Sequence, residues 1–282
     1  MRIALCFFGS VGSLFKPTQK VKNFIDPLIC HESINKNLLN NNNIDVFIHT
    51  WSTKYNNKLL KLYKPKKYLI EKPKNFTLSI KDFSLKDIDL YDNIEQLKKE
   101  HVDPISSYND LIYRMQSRWY SQSQSLKILE QFKKSKKITY DFVVQMRLDL
   151  ILNKEINFKK LNNNIVHLVK GQKHNEKKLY DTFFVTNYSN GIKFNSIIDN
   201  LTKYPVDPNN LIYKFLKKNN LNYKNTFNFN DIILHRYYQN IDISFIKFLY
   251  NKTLVAIYKI FDLLEKIIVF AKKILNKKIN PE

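Results

Sequence analysis

The sequence predicts an α/β protein with a mostly parallel β-sheet flanked by helices, and three observations support this fold class. Short apolar runs alternate with segments of helical periodicity, which is the pattern of βαβ units. Four glycines and eight prolines among 282 residues are too few for a turn-rich all-β fold. A hydrophobic content of 44% over this length is enough for a substantial core.

The first part of the chain contains three predicted strands. They lie at Arg2–Phe8, Ile44–Trp51 and Lys67–Glu71, with a helix predicted over Lys54–Leu62. The loop Gly9–Ser13 follows the first strand, where glycine allows either close approach to a phosphate or a plain turn. This loop matches neither a Walker motif nor the dinucleotide fingerprint. Residues 72–105 are polar and lysine-rich, and they predict an irregular or partly helical insertion.

The strongest helix prediction is Asn109–Lys134, where apolar residues recur at helical spacing and form one face. Gln122 interrupts that face. A buried amide without a partner costs roughly 1–3 kcal/mol, so Gln122 should bond either a bound nucleotide or a backbone carbonyl. Arg118 lies four residues earlier on the same side and Lys127 slightly beyond, which makes both candidate ligand contacts.

The run Phe142–Ile151 predicts a buried central strand that carries two charged residues, Arg147 and Asp149. Side chains two apart in a strand point to the same face, so these two should be neighbours. A cation and an anion at a strand end form a site for a phosphate or a metal, or else a structural ion pair. The first reading is favoured because open α/β sheets bind ligands at their strand ends.

Four further residues are candidates for a site. Asp181 begins the predicted strand Asp181–Asn187, and Asp231 begins a predicted helix ending near Tyr238. Either carboxylate could act as a base, although Asp231 also suits a helix N-terminus, so Asp181 is the first candidate. His49 and Trp51 end the second strand, where they either contact a ligand or support the strand structurally. A strand at Asn164–Val169 and a helix at Ser189–Leu201 complete the predicted elements.

The formal net charge is +22, with lysine and asparagine both abundant. Part of this charge reflects compositional drift of the source genome, and the rest favours polyanionic partners such as nucleotide phosphates or an anionic membrane. Nucleic acid is not the favoured partner, because the lysines are dispersed and no recognised motif is present. Two cysteines without metal spacing, no signal peptide and no membrane-spanning apolar stretch predict a cytoplasmic protein.

The C-terminal segment 246–282 is basic, and Thr253–Leu275 within it is strongly amphipathic. Such a helix can lie in a membrane interface with its lysines near anionic headgroups; with the bacterial resemblance given below, the expected location is the cytoplasmic face of the inner membrane. The alternative is a helix packed on its own domain or on a dimer partner.

Six segments in this order carry a resemblance to a known family: RIALCFFGS, DVFIHTW, YKPKKYLIE, SRWYSQSQSLKI, YDFVVQMRLDLIL and DTFFVTN. The sequence resembles a group of bacterial and viral glycosyltransferase-like proteins of capsule, lipooligosaccharide and other surface-glycan assembly, over roughly residues 1–60 and 108–240. The resemblance implies a Rossmann-like GT-A type domain over residues 1–245. It also implies sugar transfer from a nucleotide-sugar to a glycan or lipid-linked glycan acceptor.

In GT-A enzymes an Asp-x-Asp motif holds Mn²⁺ or Mg²⁺ against the diphosphate. The matching triplet is Arg147-Leu148-Asp149, in which a cation replaces the first carboxylate. Either Asp149 holds the metal with phosphate and water ligands, or Arg147 binds the diphosphate directly. The resemblance implies donor contacts at Phe8, Gly9, Ser10, His49, Trp51, Arg118, Gln122, Lys127 and Arg147. Asp149 and Asp181 are the implied catalytic residues, with Asp181 as the base.

Two other functions fit the same sequence. One is transfer of a non-sugar group onto a glycan, although the Gly9–Ser13 segment lacks the usual phosphate-binding loop. The other is a non-catalytic basic protein that binds nucleic acid or membranes. No Ser/His/Asp or zinc-binding motif is present.

Overall fold

The fold is known from a computed structural model that describes residues 1–11, 27–40, 43–53, 55–83, 104–170 and 179–234. These residues all belong to one unit, Met1–Tyr237. The strands are β1 Ile3–Phe8, β2 Ile44–Trp51, β3 Lys67–Glu71, β4 Phe142–Arg147, β5 Leu150–Leu152, β6 Val166–Val169, β7 Phe183–Thr186, β8 Tyr223–Phe227 and β9 Ile232–Leu234. The α-helices are α1 Pro27–Ile34, α2 Asn56–Tyr63, α3 Pro104–Lys136, α4 Tyr188–Lys193, α5 Ser196–Asp199 and α6 Pro208–Lys218.

Within the described ranges, seven strands form the central sheet in the order β3-β2-β1-β4-β7-β6-β8. The first four are mutually parallel, β7 is antiparallel to both β4 and β6, and β8 is parallel to β6. This arrangement confirms the predicted α/β class with a mostly parallel sheet. The strand order reverses direction between β1 and β4, which makes that boundary the topological switch point of the sheet.

The sheet is covered on both faces because the side chains of its strands alternate. In β1, Ala4 and Cys6 join a core cluster with α3, whereas Leu5 and Phe7 join a second cluster with α1 and α2. Every residue of β1 is buried, as expected for a parallel strand between two layers. The helices therefore cover the central strands on both faces, whereas the edge strands β3 and β8 are partly exposed.

The predicted central strand is wrong in its length. It ends at Arg147, and the next two residues form a turn before β5, which pairs with β9 in a separate two-stranded sheet. The chain leaves the central sheet because β5 finds other partners. Asn37 donates to the carbonyl of Leu152 (2.6 Å), the amide of Leu152 donates to Ser33 (3.2 Å), and the apolar side chains pack against α1.

Two helix predictions also differ from the structure. The segment predicted as Ser189–Leu201 is split between α4, α5 and a 3₁₀ turn. The helix predicted to begin at Asp231 is wrong over Ile232–Leu234, because these residues pair with β5 as strand β9. Asp231 instead closes a capping box with Asn228 in a short 3₁₀ turn. Strand β8, a polar sequence, was not predicted.

The segment after β3 is irregular as predicted over residues 72–83, apart from a 3₁₀ turn at Ile80–Asp82. Gln116 of α3 fixes it by accepting from the amide of Leu78 (3.1 Å) and donating to its carbonyl (3.0 Å). Residues 84–103 and the predicted C-terminal helix at 246–282 lie outside the described residues. Within the described ranges, no helix has the length and apolar character to cross a membrane.

Candidate functional site

The carboxyl ends of β1 and β4 bring several predicted site residues to one edge of the sheet. Phe8 and Arg147 are direct neighbours in the parallel register of these strands. Because β7 is antiparallel to β4, Asp181, just before β7, lies at the same edge, and the amide of Arg147 donates to the carbonyl of Thr182 (3.2 Å). The edge is the switch point, where ligands bind in open α/β sheets.

Arg147 and Asp149 form a bidentate ion pair across the turn that ends β4. Nε of Arg147 donates to Oδ1 of Asp149 (2.8 Å) and Nη2 donates to Oδ2 (2.5 Å). The Asp149 side chain is 4% exposed and that of Arg147 is 17% exposed. Burial opposes the charge on Arg147, but Asp149 and then Asp181 raise its pKa overall, so it stays cationic. The predicted proximity holds although a turn, not a strand, creates it.

The guanidinium of Arg147 has N–H groups that do not bond Asp149. Its Nη1 group and the second N–H of Nη2 donate to no residue in the described part of the chain. This outer edge is the planar fork that matches a carboxylate or phosphate. Asp149 therefore holds Arg147 from one edge, and the other edge bonds no described residue.

Arg118 and Asp181 form a second ion pair beside the first. Nε of Arg118 lies 2.7 Å from Oδ2 of Asp181, and Nη2 donates to the Asp181 carbonyl. Nη1 donates to Gln122 (2.6 Å), and the guanidinium stacks on the Trp119 ring at 3.4 Å from its centroid. Burial lowers the pKa of Arg118 to about 10 despite Asp181, which leaves it charged at neutral pH. Each of these nitrogens faces a protein group and only 11% of the side chain is exposed, so Arg118 is placed to orient Asp181.

Gln122 bonds two side chains, rather than the nucleotide or backbone carbonyl that the sequence predicts as its partner. Its oxygen accepts from Arg118, and its amide nitrogen donates to the side-chain oxygen of Gln145. Gln145 in turn donates to the carbonyl of Gly191 (3.3 Å). Because both glutamines are fully buried, this chain of bonds supports Arg118 from within the protein.

Gly9 turns the chain away from the end of β1 with φ at +105°, a backbone region that favours glycine. Its amide donates to Ser121 (2.8 Å) and its carbonyl accepts from the amide of Trp51 (3.3 Å). Both backbone groups therefore bond to the protein. The glycine serves the conformation of the loop, and its amide does not face a phosphate.

His49 continues the same network into the core. Its Nδ1 lies 2.7 Å from the Ser121 hydroxyl and its Nε2 lies 2.9 Å from Glu71. Burial lowers the pKa of His49 although Glu71 opposes this, so the ring is neutral at pH 7. In the neutral ring, Nε2–H donates to the carboxylate and Nδ1 accepts from Ser121. Both ring nitrogens of His49 are therefore bonded to protein groups.

Trp51 is buried at 5% exposure and stacks on Tyr120, with ring centroids 5.7 Å apart. Its ring also contacts those of His49 (5.1 Å) and Phe76 (6.2 Å). Ser121 and Glu71, which complete the His49 network, were missed from the sequence. The sequence showed serines at 121, 123 and 125 of the predicted helix, but only the structure shows that their hydroxyls are buried.

Ser10 carries a buried hydroxyl for which the described chain offers no hydrogen-bond partner. Several other buried polar atoms share this property, but Ser10 follows β1 directly at the switch point. Buried polar groups are normally paired, so a ligand that accepts a hydrogen bond would complete it. The neighbouring Phe8 is buried, with its ring 5.0 Å from the Arg118 guanidinium.

Lys127 lies away from the residues at the switch point. It is exposed, and at 1.5 Å per residue it lies about 14 Å beyond Arg118 along α3.

The residues at the switch point do not fit a protein-held metal. Both carboxylate oxygens of Asp149 accept from Arg147, and Oδ2 of Asp181 is paired with Arg118. Across the described ranges, no group of three or more His, Cys, Asp or Glu side chains is placed to hold a metal ion. A divalent cation prefers several carboxylate or carbonyl oxygens, and here each carboxylate faces an arginine instead.

Comparison with protein-family models and with curated proteins found no match. Among solved structures, the fold is similar to that of a nucleoside-diphosphate-sugar pyrophosphorylase from Vibrio cholerae RC9. The two chains are 8% identical with a TM-score of 0.38, over 82% of this chain and 94% of the other. A likeness at this level carries no argument about activity, and the family resemblance of the sequence stays a prediction.

Proposed function

We propose that the protein is a glycosyltransferase that binds a nucleotide-sugar donor at the β1–β4 switch point and transfers the sugar to a glycan acceptor. One observation carries the proposal. Near the point where the strand order reverses lie the outer edge of Arg147 and the buried, unpaired hydroxyl of Ser10. Nucleotide ligands bind at such points in doubly wound sheets, and both groups suit phosphate oxygens.

The diphosphate of the donor would accept from the Nη1 and Nη2 groups of Arg147. As the bond between the anomeric carbon and the phosphate oxygen breaks, negative charge develops on the departing diphosphate. A fixed guanidinium stabilises that charge without reorganising. Asp149 supports this step indirectly, because its two bonds hold the Arg147 side chain in place.

Asp181 is the proposed base. Arg118 fixes this carboxylate through Oδ2, while Oδ1 bonds no residue in the described ranges and the side chain is 14% exposed. The acceptor hydroxyl would give its proton to Oδ1 as its oxygen forms the new bond to the anomeric carbon. Asp181 is preferred over Asp149 because both oxygens of Asp149 accept from Arg147.

A thermal-shift panel of UDP-, GDP-, CMP- and dTDP-sugars tests donor binding. A donor at 100 times its dissociation constant should stabilise the protein by roughly 2.7 kcal/mol. The matched control is Lys127→Ala, which removes a predicted donor contact that the structure places on the exposed surface. We expect this variant to respond like the wild type. If no nucleotide-sugar shifts the melting temperature, the proposal is wrong.

Asp181→Asn separates binding from chemistry. Loss of a general base typically lowers turnover by about 10²–10⁴-fold. The variant should retain donor affinity, measured by the same thermal shift, and lose sugar transfer or donor hydrolysis. Undiminished turnover would remove Asp181 from the mechanism.

A further inference from the structure

We propose that Arg147 takes the place of a divalent cation, so that the site binds the diphosphate of its ligand without any metal. The inference rests on the proposed function only in requiring a ligand that carries a diphosphate.

The first argument is competition for Asp149. A metal ion and the Arg147 guanidinium would need the same two oxygens, and the guanidinium holds both at 2.8 and 2.5 Å. Asp149 is also 4% exposed, which leaves little room for the water ligands that Mg²⁺ normally keeps. No other carboxylate, histidine or cysteine within the described ranges completes a metal-binding group with it.

The second argument is the fixed presentation of Arg147. Its backbone amide donates to the Thr182 carbonyl (3.2 Å) and its neighbour in β1 is Phe8, so its main chain is part of the sheet. Asp149 then fixes the side chain through Nε and Nη2. What remains is a planar fork aimed away from Asp149, which binds a phosphate in bidentate geometry without prior rearrangement.

The charges of the site make the inference testable at Asp149. The two arginines and two aspartates at the edge sum to no net charge, so Asp149 offsets part of the attraction that Arg147 exerts on a diphosphate. If Asp149 is a metal ligand, its removal weakens ligand binding. If it only positions Arg147, replacement by asparagine keeps a hydrogen-bond acceptor and removes the repulsive charge. The two roles therefore predict opposite signs.

The experiment is a calorimetric titration of the full-length protein with uridine, guanosine, cytidine and thymidine diphosphates, in excess EDTA and in Mg²⁺ or Mn²⁺. We expect the diphosphate that binds to do so in EDTA, with an affinity within about threefold of that with metal. Asp149→Asn should bind as tightly as the wild type or tighter in both conditions.

A double variant tests Arg147 without the folding defect that an unpaired buried charge would cause. Arg147→Met combined with Asp149→Asn removes the ion pair without leaving a buried charge, and it should weaken binding about tenfold or more. The matched control is Asp45→Asn. Asp45 is a buried carboxylate that accepts from Arg2 (2.8 Å) at the opposite end of the sheet, so this change should leave affinity unaltered.

Three outcomes decide between the ideas. Binding that appears only with Mg²⁺ or Mn²⁺ and is lost in Asp149→Asn overturns the inference but keeps the proposed donor site. Unchanged affinity in the double variant removes Arg147 from the site. Absence of binding under every condition overturns both the inference and the proposed function.

Discussion

Three buried serines in α3 allow the hydrogen-bond network at the switch point to be tested by one chemical change. Ser121, Ser123 and Ser125 are 0%, 1% and 0% exposed, so serine to alanine removes the same atom from equally buried positions. Their partners differ. Ser121 accepts from the Gly9 amide and bonds His49, Ser125 donates to a carbonyl of its own helix, and Ser123 has no partner among the described residues.

The expected losses of stability follow from these partners. Ser121→Ala leaves the Gly9 amide and Nδ1 of His49 unpaired, and each unpaired group lowers the free energy of unfolding by roughly 1–3 kcal/mol. Because the Gly9 bond is only partly buried, we expect a total loss of about 2–4 kcal/mol. Ser125→Ala removes only a bond to the Gln122 carbonyl (2.7 Å), for which we expect less than about 1 kcal/mol. Ser123→Ala removes an unpaired hydroxyl and should be neutral or stabilising.

Urea denaturation followed by circular dichroism measures these differences, with the free energy of unfolding taken at a common slope. The gain in helix propensity from serine to alanine, about 0.5 kcal/mol, is shared by all three variants and cancels in the comparison. If the three variants lose the same free energy of unfolding within about 0.5 kcal/mol, the proposed difference between their hydrogen bonds is refuted.

Three other expectations follow from the same region. Gly9→Ala should lower the free energy of unfolding by about 1–3 kcal/mol. The whole loss comes from backbone strain at φ +105°, since an added Cβ meets no atom within 4 Å; an unchanged urea midpoint would contradict this. Ser10→Ala should leave the melting temperature of the free protein unchanged or higher while reducing its shift with a nucleotide-sugar; an undiminished shift would exclude Ser10 from the site. Folding should weaken as pH falls from 6.5 towards the lowered pKa of His49, because the unfolded chain takes up the proton first. His49→Gln should flatten this dependence in urea midpoints measured across the window, and an identical pH profile would count against it.

The elements of the parallel half of the sheet could be predicted from the sequence because their signals are local. The bounds of β2 and β3 agree with the prediction, and α3 extends the predicted helix by a few residues at each end. Apolar runs and helical periodicity suffice for these elements. The break after Arg147 could not be predicted, because the residues that follow are as apolar as the strand before them. Their departure depends on α1 and β9, which are distant in sequence.

The candidate site was predicted in part. Arg147 and Asp149 are close in the chain, so their pairing needed only local geometry. Arg118 and Asp181 are 63 residues apart, and the sequence offered each as an independent ligand contact or base. Their pairing shows that one positions the other, which reduces the set of candidate ligand contacts.

By itself, the sequence determined that the chain forms an α/β sheet and that charged and polar residues collect at its strand ends. It could not determine which of those residues bond one another. A buried polar group needs a partner, but the partner is whatever the fold brings beside it, and Ser121 reaches Gly9 across 112 residues. Only the tertiary structure decided that Asp149 and Arg118 are held by protein contacts while one edge of Arg147 bonds no described residue.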